Sequence, residues 1–114
     1  MNSAEWIPGL GPLESAIMTV IWDADQSLNV RMVRERLDYL ASDGENPAYT
    51  TVMTVMAILC RKGFLARAKG PGSGHGRAWW YQARISREDP LAAVIRRALE
   101  CAPDPAAVLR RATP

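Results

Sequence analysis

Histidine occurs once, at His75, and cysteine twice, at Cys60 and Cys101, in a chain of 114 residues. A structural zinc site needs about four such ligands at short spacings, so no metal or other cofactor is expected. Two distant cysteines read as reduced thiols rather than as a disulfide framework. No run approaches the roughly 20 apolar residues of a membrane helix, and the first ten residues lack the basic-then-apolar pattern of a secretory leader. The expectation is a cytoplasmic protein without membrane association. Paired carboxylates and Ser/His or Cys/His groupings with credible placement are missing. So is a phosphate-binding glycine motif leading into a helix, which argues against an enzyme.

What the chain does have is a 48% hydrophobic content, enough for one domain with a real core and too much for a disordered chain. Its charge is lopsided. Residues 1–60 hold three arginines against eight acids, net −5, whereas residues 61–114 hold eleven Arg/Lys against four acids, net +7. A basic half of this kind points to a polyanionic partner.

Apolar periodicity organises the chain. Gly11-Pro12 reads as a helix start, with proline suited to the first helical position and Glu14 in the first turn. Leu13, Ile17, Val20 and Ile21 form one buried face, which Trp22 ends before a polar break at 23–27. Trp6 is the expected anchor of a short irregular lead-in over residues 1–9. A second helix spans about Val30 to Leu40, capped by Asn29 and buried through Val30, Val33 and Leu37. After a turn over 43–47, a third runs from about Tyr49 to Lys62, with Gly63 as its C-cap. Val52, Val55, Met56 and Leu59 form its inner stripe. Its outer face carries Thr50, Met53, Thr54, Ala57 and Arg61, small and hydroxylated where a solvated helix would show Glu and Lys.

The flanks Phe64 to Lys69 and Ala78 to Arg84 are β-compatible, and the Gly- and Pro-rich stretch between them cannot continue a strand. This predicts a hairpin with a basic tip. One tryptophan of the Trp79-Trp80 pair is expected on the core with Tyr81 flanking it; the other reading is base stacking, as in single-strand binders. Asp89-Pro90 opens a fourth helix through about Cys101, and Ala106 to Arg111 adds one or two more turns. The fourth helix has an apolar stripe of Leu91, Val94, Ile95 and Leu99, either intrachain core or, as favoured here, a dimer surface.

The expected fold is mainly α with a small β-hairpin: a winged helix-turn-helix head over residues 10–85 and a short helical tail over 86–114. A helix whose exposed side chains are short can approach base edges in the major groove. Threonine hydroxyls bond bases or phosphates, and threonine or alanine methyls touch thymine methyls. A hairpin tip can lie along neighbouring phosphates, where Lys69, His75 and Arg77 can bind them.

The residues Leu10-Gly11-Pro12-Leu13-Glu14, with Ile17-Met18 and Ile21-Trp22, resemble the opening of the penicillinase-repressor family (BlaI/MecI and the related CopY-type repressors). Val30-Arg31-Met32-Val33 through Leu37 resembles its second helix. The most specific match is the block from Ala48 to Met56, followed by Leu59 and Lys62-Gly63-Phe64-Leu65. Gly76-Arg77-Ala78-Trp79-Trp80-Tyr81 resembles the family's second wing strand, and Ser86-Arg87-Glu88 the approach to its fourth helix. The resemblance spans about Leu10 to Leu99. It implies a winged-helix homodimer on a dyad operator of double-stranded DNA that blocks transcription, in several members under the control of a membrane sensor-protease. On this match Tyr49, Thr50, Thr51 and Thr54 are recognition-helix readers, and Arg61 and Arg77 contact phosphates.

Three departures bear on these expectations. The family's C-terminal dimerisation region is longer and made of several helices, so the dimer expected here is weaker, differently built or absent. The wing tip carries an inserted Pro71-Gly72-Ser73-Gly74. The C-terminal cysteine pairs of the CopY type are missing, which disfavours copper sensing. The competing functional reading is a winged-helix protein-interaction module that docks on a larger partner, because fold alone does not fix function.

Overall fold

A computed structural model describes residues 7–40, 46–70 and 78–114, without the side chains of residues 38–40. Trp6, His75, Arg77 and the inserted wing-tip residues lie outside the described residues. The order is α1 (Pro12–Ala24), α2 (Val30–Leu40), α3 (Tyr49–Arg61), β1 (Leu65–Lys69), β2 (Trp79–Ala83), α4 (Glu88–Cys101) and α5 (Pro105–Ala112).

Helix α1 begins where Gly11 is extended and Pro12 fixes the first helical φ. The Glu14 carboxylate reaches back to accept the Gly11 N–H at 2.9 Å, which satisfies a donor the helix leaves free. Ile17, Met18, Val20 and Ile21 are buried. The helix runs two residues past Trp22 and ends at Asp25 in the left-handed region, φ 54°. Ile7 and Leu10, at 6% and 9% exposure, fix the lead-in to the core.

Asn29 caps α2 by accepting the Met32 N–H on Oδ1 at 2.8 Å. Val30, Val33 and Leu37 point inward and meet Val52, Met56 and Leu59 of α3. The Phe64 N–H bonds the Leu59 carbonyl and the Gly63 N–H the Cys60 carbonyl, at 3.0 and 3.1 Å. These two bonds are a Schellman closure, and Gly63 supplies its positive φ of 86°.

Strands β1 and β2 are antiparallel in the register Leu65↔Ala83, Arg67↔Tyr81 and Lys69↔Trp79. The link between the polar break and α2 contributes a third short edge that periodicity did not announce. Leu28, fully buried, exchanges both backbone bonds with Tyr81, at 2.9 and 2.8 Å. The placement of the aromatics is a correction. Tyr81, at 1% exposure, is the side chain that enters the core, while Trp79 is 37% exposed and Trp80 is half-buried. Strand alternation explains it. Trp79 shares the inward face with Tyr81 but lies beyond the helix layer, and Trp80 points to the other face, over Gly70.

Helix α4 starts one residue before the expected acid, and Asp89 reaches back to accept the Ser86 N–H at 2.9 Å. Asp104 accepts the Ala107 N–H at 3.2 Å and Pro105 opens α5. Apart from Pro90, no residue of α4 or α5 is buried. The radius of gyration is 17.0 Å, against about 13 Å for a compact chain of this length. The two terminal helices therefore extend the molecule, whose long axis is 58 Å. Three helices with a hairpin packed behind them form a winged helix-turn-helix, and the terminal helices extend from it.

Candidate nucleic-acid interface

The outward stripe of α3 follows from its inward one. Val52, Met56 and Leu59 are buried, so at 100° per residue Thr50, Thr54, Ala57 and Arg61 line up on the opposite side. Thr50, Thr51, Thr54 and Arg61 are exposed, as are Tyr49 at 47% and Met53 at 42%. The helix holds no acid, and its one charge, Arg61, lies in the last turn. Val55, expected on the inner stripe, is only half-buried.

Two contacts hold α3 in place. At its start, Arg34 of α2 donates from Nε to the Pro47 carbonyl at 2.9 Å. Just past its end, Lys62 donates to both carboxylate oxygens of Glu14, at 3.1 and 2.8 Å. Burial alone would push the Glu14 carboxyl up, but hydrogen bonds from Lys62 and the Gly11 amide outweigh it and hold the carboxyl below its ordinary value. Neither contact was expected, since each joins residues far apart in sequence.

The hairpin presents a second group. Lys69 is exposed, with its ammonium 4.3 Å from the centroid of the Trp79 ring. Arg67, absent from the sequence expectations, places its guanidinium 4.4 Å from the same centroid. Strand alternation carried the signal for it: Arg67 and Lys69 are two apart on β1, and the register sets both on the face of Tyr81 and Trp79. Thus Tyr49, Thr50, Thr51, Thr54 and Arg61 share one helix, and Lys69 stands on a separate element.

On α4, Leu91, Val94 and Ile95 are 44%, 46% and 55% exposed, and Leu99 is half-buried beside α5. Val108 and Leu109 of α5 are also exposed, at 38% and 47%. Where α4 leaves the head, Pro8, Gly9, Phe64, Pro90, Ala93 and Val94 line an apolar groove of about 410 Å³. Cys60 is half-buried, and burial pushes its thiol up despite the nearby Arg67 charge. Among the described residues no three His, Cys, Asp or Glu side chains converge as a metal site requires, and no helix is long and apolar enough to cross a membrane.

Residues 10–110 match the profile of the penicillinase repressor family. The chain is 34% identical over 95 residues to the transcriptional regulator BlaI of Mycobacterium tuberculosis, in strains CDC 1551 and H37Rv alike. The match covers 83% of this chain and 62% of the regulator, so the chain spans about three-fifths of the length of these relatives.

Proposed function

The chain belongs to the penicillinase repressor family, and on that premise we propose that it is a transcriptional repressor that binds a dyad DNA operator as a homodimer. The observation that carries this reading is the acid-free outer stripe of α3, where Thr50, Thr54 and Arg61 are exposed and Ala57 is half-buried between them. Short side chains let the helix seat deeply in the major groove. Tyr49 and Thr51, at the same end of the helix, complete the set of readers. Arg61 and Lys69, together with His75 and Arg77 from the sequence expectation, supply the sequence-independent hold on phosphates. In this reading residues 10–85 are the DNA-binding unit and 86–114 the dimerisation element. The exposed Leu91, Val94 and Ile95, with Leu99 behind them, then meet their equals across a two-fold axis. The two recognition helices would address half-sites one helical turn, about 34 Å, or a multiple of it apart.

Selection from a random duplex pool, followed by titration of the selected and a scrambled sequence, tests this. Thr50→Ala and Thr54→Ala should each reduce discrimination by about 1–3 kcal/mol per lost base contact. A chain that enriches no sequence, or variants that discriminate as well as the parent, would sink the assignment. The exposed apolar tail favours one second reading, a protein-interaction module. A chain that forms no salt-sensitive complex with any duplex would shift the assignment to it.

A further inference from the structure

We propose that Trp79 is a positioning residue that gathers Arg67 and Lys69 into one two-cation seat for a single DNA backbone phosphate. The inference rests on the DNA-binding reading above and adds to it a site, its ligand class and the residue that builds it. The seat follows from the register. Leu65 and Tyr81 anchor the inner end of the hairpin in the core, and the same face continues outward through Arg67, Lys69 and Trp79. There the face leaves the helix layer, so all three side chains are exposed while their backbone stays in the ladder.

Both cationic centres lie within 4.4 Å of the Trp79 centroid, and so within twice that distance of each other. Two like charges repel, and long side chains on a strand would ordinarily diverge into solvent. The electron-rich ring holds both instead, tryptophan being the strongest such platform among the side chains. Neither cation forms an ion pair with a carboxylate among the described residues, whereas Arg31, Lys62 and Arg87 each do. Both cations are therefore drawn to one ring, exposed, and without a carboxylate partner among the described residues, an arrangement a bridging anion relieves. A phosphodiester suits it, because its two non-bridging oxygens can accept from an arginine fork and an ammonium together. On a winged helix that reads DNA, the anion at hand is the backbone beside the groove.

The test is a salt titration on a mixed-sequence duplex, since a phosphate contact needs no operator. Trp79→Ala should weaken binding several-fold, with Trp79→Tyr and Trp79→Phe in between, and all should keep the parent's circular dichroism and melting curve. In an Arg67→Ala/Lys69→Ala background, Trp79→Ala should have no further effect. That double variant should lower the log–log salt slope by about 0.9, the value for one phosphate. A fall of about twice that would show separate phosphates and overturn the shared seat. So would a Trp79→Ala loss that persists in the double variant, because the ring would then be touching DNA itself, or a Trp79→Ala variant that binds like the parent. If Trp79→Ala does not fold, the tyrosine and phenylalanine variants decide by the same criteria. A parent chain that shows no salt-dependent duplex binding fails the underlying reading, and the proposal with it. That outcome is distinct because it appears before any substitution is made.

Discussion

The indole N–H of Trp22, in the last turn of α1, donates to the backbone carbonyl of Ile85 at 3.0 Å. It fastens the segment that leads from the wing into α4. Arg87 reinforces the join: its guanidinium stands 5.4 Å from the Trp22 ring centroid and pairs with Asp23. Since α4 buries only Pro90, this cluster and the packing around that proline fix the direction in which the tail leaves the head.

Trp22→Phe keeps an aromatic ring at the position but removes the donor and the five-membered ring that carries it. A part-buried carbonyl then loses its partner, at a cost of about 0.5–1.5 kcal/mol. Urea unfolding should show that loss. Hydrogen exchange should locate it, with faster exchange at the start of α4 and unchanged exchange in α3. Uniform acceleration along the chain would refute a local fastening role.

Glu14 gives stability a pH dependence with a definite sign. Its folded-state carboxyl titrates below its unfolded value. Its contribution is therefore whole above the unfolded pKa, near 4.3, and is lost as pH falls through the folded value. Lys62 is 40% exposed, so solvent screens the pair, and Glu14→Gln should cost about 0.2–1 kcal/mol at neutral pH. Denaturation curves of parent and variant should converge as the pH is lowered past the glutamate range. A gap that stays constant into acid would mean that the ion pair contributes nothing.

Two glycines should respond to alanine in different ways. At Gly63 a Cβ meets nothing within 4 Å, but φ is +86°, so Gly63→Ala should cost about 1–2 kcal/mol through the backbone alone. At Gly70 a Cβ would fall 1.9 Å from Trp80 Nε1. Gly70→Ala must therefore displace the indole and should shift the tryptophan emission, which Gly63→Ala should leave alone. Identical emission in all three proteins would mean that Trp80 does not cover Gly70.

Local rules made much of this fold legible in the sequence. Pro12 stands at a helix start, Asn29 caps α2, Gly63 closes α3, and Val52, Met56 and Leu59 set which way α3 faces. The threonine face was legible for the same reason, being the complement of a buried stripe. What escaped were single contacts that depend on the folded register. One residue, Leu28, pairs with Tyr81 and leaves no alternation to read. Tyr81 rather than a tryptophan enters the core, because only the depth of the helix layer decides which aromatic of the shared face is covered. Arg67 looked like any surface arginine until the cross-strand register set it over Trp79.

In the proposed dimer, the exposed stripe of α4 is the contact surface. Ile95 is 55% exposed, with Leu91 and Val94 exposed beside it, and none of the three belongs to the core cluster. A charge at 95 should therefore leave the head folded, yet in a two-fold dimer it strikes the interface twice. Burying one such side chain is worth about 1.5–3 kcal/mol. Allowing for partial burial already present in the monomer, Ile95→Glu should weaken dimerisation by roughly 2–4 kcal/mol, or about 30- to 1,000-fold. Sedimentation equilibrium measures that directly. The variant should also bind a full dyad no better than two independent half-sites, while single half-site affinity stays at the parent's value. A parent chain that is monomeric at every concentration, or a variant that dimerises undiminished, would remove this stripe from the interface.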